Sequence, residues 1–228
     1  MARSRYLLIF LIIFLLFILI ALPLIAEHHY LLVSILFMIC TFLPLVIRFE
    51  RRKVSGRELV MLAVLGAVAA LSRIPFASIP SVQPTTFVII VTGTALGAES
   101  GFVVGALAAL VSNLFLGQGP WTPWQMYSWG MIGLVAGLLR NTWVMRKTVS
   151  RCVFGFITGI LFGWMMNLAY IVPLFQTISF AQIIAYYAAS FYFDLAHAFS
   201  NVFFLAIFSK SWMKILLRFR KKYGLLDI

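Results

Sequence analysis

A row of polar side chains near the end of the chain recurs at helical spacing within an otherwise apolar stretch. The row is Tyr187, Ser190, Asp194, His197 and Asn201, and its alternating intervals of three and four residues place all five on one face of an α-helix. A hydroxyl, a carboxylate and an imidazole on one face are the groups of a serine hydrolase. The same groups also suit the wall of a ligand pocket or a hydrogen-bonded brace between helices, so three chemistries stay open.

The carboxylate of Asp194 is the most constrained of these groups. It lies roughly 20 Å along the predicted helix from Ala181, and a charge at that depth in a membrane costs at least about 2.5 kcal/mol unless it is paired or hydrated. His197, one turn away, is the available partner within the helix. We therefore expect this face to point into a helix bundle, where Asn167 and Tyr170 on the preceding helix supply further donors and acceptors.

The motifs of common catalytic and metal sites are absent from the sequence. It contains no GxxxxGK phosphate loop, no HExxH and no paired glutamates at metal spacing, and no oxyanion element accompanies Ser190. Cys40 and Cys152 each stand alone in apolar sequence, which is typical of small packed side chains rather than of metal ligands. The sequence therefore predicts no metal site and no enzyme.

A second polar and aromatic stretch, GQGPWTPWQMYSWGMIG, runs from Gly117 to Gly133. Pro120 and Pro123 remove backbone donors and restrict φ, so a helix is not expected to continue through them and the stretch is predicted to form a loop. Trp121 and Trp124 lie at this break. Their amphipathic rings suit either contact with a ligand or anchoring at a membrane surface.

The composition sets the class of the protein. Hydrophobic residues make up 63% of the 228 residues, charged residues only 11%, and the mean hydropathy is +1.05. A soluble core of this size cannot bury so much apolar side chain, and the apolar runs are continuous rather than alternating, which indicates an all-α integral membrane protein. The net charge of +12 does not indicate a nucleic-acid partner, because the basic residues fall between apolar segments rather than on one polar face.

Eight apolar spans are predicted. Residues Tyr6–Ala26 and residues 30–47 form an N-terminal transmembrane hairpin, residues 1–53, although a cleaved signal peptide is an alternative for the first span. The rest of the chain, residues 54–228, is predicted to be a six-helix membrane domain with a basic tail. Its helices are expected at about 58–74, 84–98, 100–116, 124–140, 151–172 and 181–209.

The distribution of positive charge predicts the topology. With eight spans and both termini in the cytoplasm, every Lys and Arg except Arg73 falls on the cytoplasmic side, as the positive-inside rule requires. The proline-rich loop IPFASIPSVQP, residues 74–84, and the tryptophan stretch then share the outer side. Because both are longer and more aromatic than connectors need to be, we expect a binding or lid role, with plain connectors as the alternative.

Small residues mark the surfaces at which helices are expected to meet. The sequences GFVVGALAALVSNL from Gly101 and GFITGILFGWMMNL from Gly155 resemble each other and end in Asn113 and Asn167, which is consistent with either a parallel repeat or convergent packing. The positions predicted to pack closely are Gly105, Gly159 and Gly163. Ala63 and Ala67 form a further smooth ridge on the first core helix, suited to contact within the chain or with another subunit.

These features together resemble a known family. The chain resembles the substrate-binding S components of energy-coupling factor (ECF) vitamin transporters in three features. These are the six-helix core, the basic residues that precede the first core helix with its alanine ridge, and the segment GQGPWTPWQMYSWGMIGLVAG. The segment looks most like that of the cobalamin-specific type. The resemblance covers roughly residues 55–212, and the N-terminal hairpin departs from the six-helix pattern.

The resemblance implies how such a chain would work. A solute is captured at the outer face beneath residues 74–84 and residues 116–125, and the S component topples in the bilayer to release it inside. The surface that contains Ala63 and Ala67 contacts a transmembrane coupling subunit, which is driven by two ATPase subunits, so this chain itself is not an enzyme. The resemblance further implies a multi-pass protein of a prokaryotic cytoplasmic membrane, with cobalamin as cargo and no resident cofactor.

The expected ligand contacts combine this implication with the polar residues above. The predicted substrate-binding residues are Arg73, Gln83, Trp121, Trp124, Gln125, Asn167, Tyr170, Tyr187, Asp194 and His197. Their amide, hydroxyl and aromatic groups suit an amide-rich ligand such as cobalamin. Another vitamin or a precursor such as α-ribazole remains open, as do an intramembrane hydrolase that uses Asp194, His197 and Ser190, and a structural membrane protein.

Overall fold

The computed structural model describes residues 55–174 and 177–224, together with four helical positions, Ile13, Phe17, Ile20 and Ala21. Apart from those four positions, the predicted N-terminal hairpin, residues 1–53, lies outside the described residues. Its two spans, and its separation from residues 54–228 as a domain, therefore stay predictions.

Helices make up nearly all of the described chain, which contains no strand. The helices are α1 (Gly56–Leu71), α2 (Thr85–Leu96), α3 (Ala98–Leu116), α4 (Thr122–Leu138), α5 (Trp143–Arg146), α6 (Thr148–Ile171) and α7 (Phe180–Tyr223), with 3₁₀ turns at Ile74–Phe76 and Val172–Leu174. Six of them are long, and α5 is a single turn. The all-α class and the six core helices of the sequence prediction are both present.

Two helix boundaries differ from the prediction. α4 begins at Thr122, so the chain is non-helical only from Gly117 to Trp121. The prediction of a loop through residues 116–125, and of the whole stretch Gly117–Gly133 as a loop, is therefore wrong beyond Trp121. Pro123 lies in the first turn of α4, where a missing backbone N–H costs no hydrogen bond, so the proline begins the helix rather than interrupting it. α7 continues well past residue 209, because its basic tail is rich in good helix formers, and it ends where Gly224 adopts a left-handed φ of 57°.

Four segments of the described chain are long and apolar enough to cross a membrane. They are Gly56–Phe76, Ala98–Leu116, Thr148–Leu174 and Phe180–Tyr223. α2 is shorter, and all of its residues are buried by its neighbours, as expected of a helix that is apolar on every side. These helices make the chain a multi-pass membrane protein, while the total number of spans and the side of each terminus stay predictions.

Backbone contact between glycines holds the centre of the bundle together. A Cβ added at Gly133 on α4 would collide with the Gly101 carbonyl group of α3, and one added at Gly93 on α2 would collide with the Gly133 carbonyl oxygen. Gly105 faces the backbone of Trp129 in the same way. α2, α3 and α4 therefore approach each other without intervening side chains, the arrangement that small residues permit in membranes.

Gly101 and Gly105 form a first glycine stripe on α3. Gly159 and Gly163 form a second stripe on α6, which allows the same close contact between α6 and α7. Gly159 lies against the backbone of Ala198, and Gly163 lies against the carboxylate of Asp194. The sequence prediction that the glycines of both stripes are packing positions is therefore confirmed.

The bundle has two ends with different chemistry. We call the end that carries the α1–α2 and α3–α4 connections the Arg73 end. The opposite end carries the α2–α3 and α4–α6 connections and the C-terminal part of α7, and we call it the basic end.

We predict that Gly133→Val destabilises the protein by about 2–4 kcal/mol, because the added methyl groups would force α3 and α4 apart. The measurement is the unfolding free energy of the purified full chain in mixed micelles. Gly56→Val is the matched control, since no atom of the described residues lies within 4 Å of a Cβ at Gly56, and it should change stability by less than about 0.5 kcal/mol. Equal effects of the two substitutions would contradict the close contact.

Candidate functional site

Arg73 is the centre of a hydrogen-bonded group at the end of the bundle that bears its name. Its Nε donates to Gln83 Oε1 over 2.8 Å, and its Nη1 donates to Ser112 Oγ over 2.7 Å and to Asn113 Oδ1 over 2.9 Å. The guanidinium also lies over the ring of Trp129, with Cζ 5.1 Å from the ring centroid, a cation–π distance. One side chain thus connects α1, the α1–α2 loop, α3 and α4.

Asn113 carries the network onward to the start of α4. Its Nδ2 donates to Thr122 Oγ1 over 3.0 Å and to Gln125 Oε1 over 2.7 Å. Thr122 Oγ1 in turn donates to Gln118 Oε1 over 2.9 Å. The break between α3 and α4 is therefore held by side chains on both of its flanks.

Gln83 joins the α1–α2 loop to α7. Its backbone N–H donates to Ser200 Oγ over 3.0 Å, and the Ser200 hydroxyl donates to the Gln83 carbonyl oxygen over 3.2 Å. Because the Gln83 side chain also accepts from Arg73, this one residue connects the loop to two separate parts of the bundle.

Trp129 extends the network toward the middle of the bundle. Its Nε1 donates to Thr86 Oγ1 over 3.0 Å, and Thr86 Oγ1 is 2.8 Å from His197 Nε2. The Phe162 ring stacks on Trp129 at 4.9 Å and meets His197 edge-on at 4.8 Å. His197 is buried and belongs to this aromatic group rather than to a carboxylate pair.

Asp194 lies in a separate group between α6 and α7. It accepts from Ser190 Oγ over 3.0 Å, and Asn167 Nδ2 donates to the same hydroxyl over 2.8 Å. The expected pairing of Asp194 with His197 is not formed. Residues three apart point about 60° away from each other around a helix axis, so Asp194 meets α6 while His197 meets α2.

This separation bears on the hydrolase alternative. In a catalytic triad the imidazole lies between the hydroxyl and the carboxylate, but here Ser190 donates directly to Asp194 and His197 bonds to Thr86. The side chains that suggested a hydrolase in the sequence thus belong to two separate hydrogen-bonded groups, one between α6 and α7 and the other between α2 and α7.

The aromatic residues predicted to touch a solute occupy three different environments. Trp124 is fully buried among Phe102 and other core side chains, because α4 begins early enough to turn its ring inward, and its predicted place in an open loop is wrong. Trp121 is half-buried, with its ring covering Gly119. Tyr170 lies on the outer face of α6 and is 51% exposed. Tyr187 on α7 is half-buried and meets Trp164 of α6 edge-on.

The structure thus unites Arg73, Gln83, Gln125 and His197 through bridging residues that the sequence prediction did not select. The bridges are Thr86, Ser112, Asn113, Thr122, Trp129, Phe162 and Ser200. Most are neutral polar residues within predicted spans. Their positions could have been predicted from the sequence, because a polar side chain within an apolar span is costly to bury unless it has a hydrogen-bond partner.

The charge of Arg73 is not compensated by its neighbours. All of its described contacts are neutral, and its Nη2 donates no hydrogen bond to the described part of the chain. A half-buried guanidinium in this setting favours an additional acceptor, such as a carbonyl, carboxylate or phosphate oxygen.

The predicted alanine ridge lies on the outside of the bundle. Ala63 is exposed and Ala67 is half-buried on α1, and Val60 and Val64 beside them are 64% and 53% exposed. The ridge is therefore available to lipid or to a second protein in the described assembly of helices.

Comparison with known proteins places these features in a family. The family model described as "ECF transporter, substrate-specific component" matches residues 57–219. Similar curated relatives include UPF0397 proteins of Vibrio atlanticus and of Aliivibrio fischeri, each 29% identical over 89 residues, which are 37% of this chain and 48% of the relative. The chain thus aligns with about half the length of those relatives. No solved structure matches it.

We predict that Arg73→Lys lowers the unfolding midpoint of the purified protein in detergent by several degrees. A lysine keeps the charge but cannot reproduce the planar set of bonds to Gln83, Ser112 and Asn113, and each lost charge-assisted bond is worth about 1.5–3 kcal/mol. Arg57→Lys, at the basic end of the same helix, is the matched control and should leave the midpoint unchanged. Indistinguishable midpoints for the two variants would contradict the role of Arg73 as the centre of the network.

Proposed function

This chain belongs to the family of ECF transporter substrate-specific components, and we propose that it captures a vitamin at the Arg73 end. Proteins of this family are substrate-binding subunits rather than enzymes, and the match spans all six long helices of the bundle. The proposal adds the location of the site, its ligand and its partners to that family assignment. In it, the Arg73 end faces the outside of a prokaryotic cytoplasmic membrane.

The observation that supports this location most strongly is the uncompensated guanidinium of Arg73 among neutral amide and hydroxyl groups. Gln83, Asn113 and Gln125 can each donate and accept, so they can exchange bonds within the protein for bonds to a ligand. No acidic side chain contacts Arg73 in the described residues. Such a site favours a ligand with several amide or carbonyl groups over a cationic one.

Cobalamin is the ligand that we propose first, on the basis of the resemblance of the tryptophan segment. It presents many amide groups around an apolar ring system, which amide side chains and aromatic rings can both meet. Another vitamin or a cobalamin precursor is the alternative, because a neutral polar network of this kind does not distinguish among amide-bearing ligands.

We further propose that the α1–α2 loop, residues 74–84, is the lid of the site. Its bonds to the bundle converge on Gln83, whose side chain bonds to Arg73 and whose backbone bonds to Ser200. Ser81 in the same loop has a φ of 61°, a left-handed conformation that costs a non-glycine residue on the order of 1 kcal/mol. A ligand that replaced Gln83 as the partner of Arg73 would remove one of the loop's hydrogen bonds to the bundle. The backbone bonds of Gln83 to Ser200 and the contact of Phe76 with Phe204 would remain.

The proposed partners are a transmembrane coupling subunit and two ATPase subunits, with the alanine ridge of α1 as the contact surface. Ala63 and Ala67 are one helical turn apart on the outward face, and small side chains allow another helix to approach closely in lipid. In this proposal the chain topples in the bilayer while it is held on that surface, and ATP is hydrolysed on the partner chains.

We predict that the purified full chain binds cobalamin in detergent without partner subunits, as measured by isothermal titration calorimetry. Arg73→Gln should weaken binding at least about tenfold, because it removes a charge-assisted hydrogen bond worth about 1.5–3 kcal/mol. Arg57→Gln removes the same charge about 24 Å away along α1 and should bind as the unaltered protein does.

The outcomes of this titration test the ligand, the location of the site and the capture function separately. Binding of a different vitamin with the same dependence on Arg73 would retain the site and overturn the cobalamin assignment. Vitamin binding that is equally strong in both variants would overturn the location of the site. No binding of any vitamin in a panel would overturn the capture function.

For the partner surface, we predict that Ala63→Trp combined with Ala67→Trp abolishes co-purification with the coupling subunit while vitamin binding is retained. Two indole rings on the ridge would prevent the close approach of a second helix. Val153→Trp with Ile157→Trp is the matched control, an exposed pair at the same spacing on α6, and should co-purify normally. Retained co-purification of the α1 variant would show that the coupling subunit binds elsewhere.

A further inference from the structure

A cavity of about 580 Å³ opens at the basic end of the bundle, opposite the proposed vitamin site. Its volume falls within the range of about 300–1,000 Å³ that is typical of small-molecule sites. It lies between the end of α2, the connection from α4 to α6, and the C-terminal half of α7. The lining residues are Thr94, Ala95, Arg140, Asn141, Met145, Arg146, Arg151, Lys210, Met213, Leu217 and Arg220.

The cavity concentrates positive charge. Five of its described lining residues are basic, and no described lining residue is acidic. They come from two regions of the chain, residues 140–151 and residues 210–220, which only the folded bundle brings together. The convergence is more than the positive-inside rule requires, because that rule acts on charge near a membrane surface and does not need the charges to share a cavity.

Arg151 is the feature of the cavity that points most directly to a ligand. It lies in the first turn of α6 and is 5% exposed, yet its Nε and Nη1 have no hydrogen-bond partner among the described residues. A buried guanidinium with two unused donors is costly unless an acceptor is supplied. The positive end of the α6 helix dipole adds to the attraction for an anion at the same place.

We propose that this basic cavity is a binding site for a phosphate group. Guanidinium groups match two phosphate oxygens at once, and several arginines around one cavity are the usual arrangement for holding that anion. In the orientation given under the proposed function, on which this step rests, the basic end lies at the cytoplasmic membrane surface, so the phosphate can belong to the headgroup of an anionic phospholipid or to a soluble ion. No described residue of α1 lines it, which makes it separate from the alanine ridge and from the Arg73 network.

The test is native mass spectrometry of the full chain purified in detergent and titrated with phosphatidylglycerol, with phosphatidylcholine as the neutral lipid. We expect phosphatidylglycerol to be retained preferentially. Arg146→Gln with Arg151→Gln should lower its retention on the order of tenfold or more, since each basic group near a membrane surface strengthens binding about fivefold. The control is Lys214→Gln with Arg218→Gln, which removes the same charge from α7 outside the cavity and should change retention less than about twofold.

A second pair of substitutions tests the site even if replacement of the buried Arg151 prevents folding. Arg146 and Lys210 are both exposed, so Arg146→Gln with Lys210→Gln removes two cavity charges without disturbing the core, and it should also weaken retention severalfold. If the pair that includes Arg151 does not fold, this exposed pair decides the question.

Titration with inorganic phosphate identifies the source of the group. Displacement of phosphatidylglycerol by millimolar phosphate would indicate a soluble anion, and persistence of the lipid complex would indicate a headgroup, and either result supports the site. Equal retention of the two lipids, or equal losses in the cavity and control variants, would overturn it.

Discussion

Arg73 is a half-buried cation whose contacts within the described residues are all neutral, and the organisation of one end of the bundle depends on the hydrogen bonds that it donates. Its Nε and Nη1 have three hydrogen-bond acceptors on the α1–α2 loop and on α3, and its charge lies over Trp129. Because these partly buried polar groups would lose free energy without hydrogen-bond partners, the residues that surround Arg73 must keep their relative positions. The proposed function assigns the remaining donor of Arg73 to a ligand.

The glycine contacts make this arrangement possible. Trp129 of α4 reaches Thr86 of α2 because these two helices touch through Gly93 and Gly133 rather than through larger side chains. A wider separation would lengthen every bond that crosses between these helices. Packing at the centre of the bundle and the chemistry at its end are therefore coupled.

The two ends of the bundle differ in how many positive charges they bring together. At the Arg73 end a single guanidinium is surrounded by amides and hydroxyls, whereas at the basic end five cations converge on one cavity. A site of the first kind suits a largely neutral, polar solute, and a site of the second kind suits a compact anion. If both proposals hold, the two ends of one membrane domain carry two unlike binding chemistries.

The sequence by itself determined the all-α membrane class, the six core helices, the close-packing glycines and the isolation of Arg73 from the other basic residues. These follow from apolar length, small-residue spacing and charge distribution, which are local properties of the chain. Only the tertiary structure decided that Trp124 faces the core, that Asp194 and His197 belong to different groups, and that the basic residues near 140–151 and 210–220 share a cavity. Each of these outcomes depends on the angle at which one helix meets its neighbours, and such angles arise from packing between segments distant in sequence.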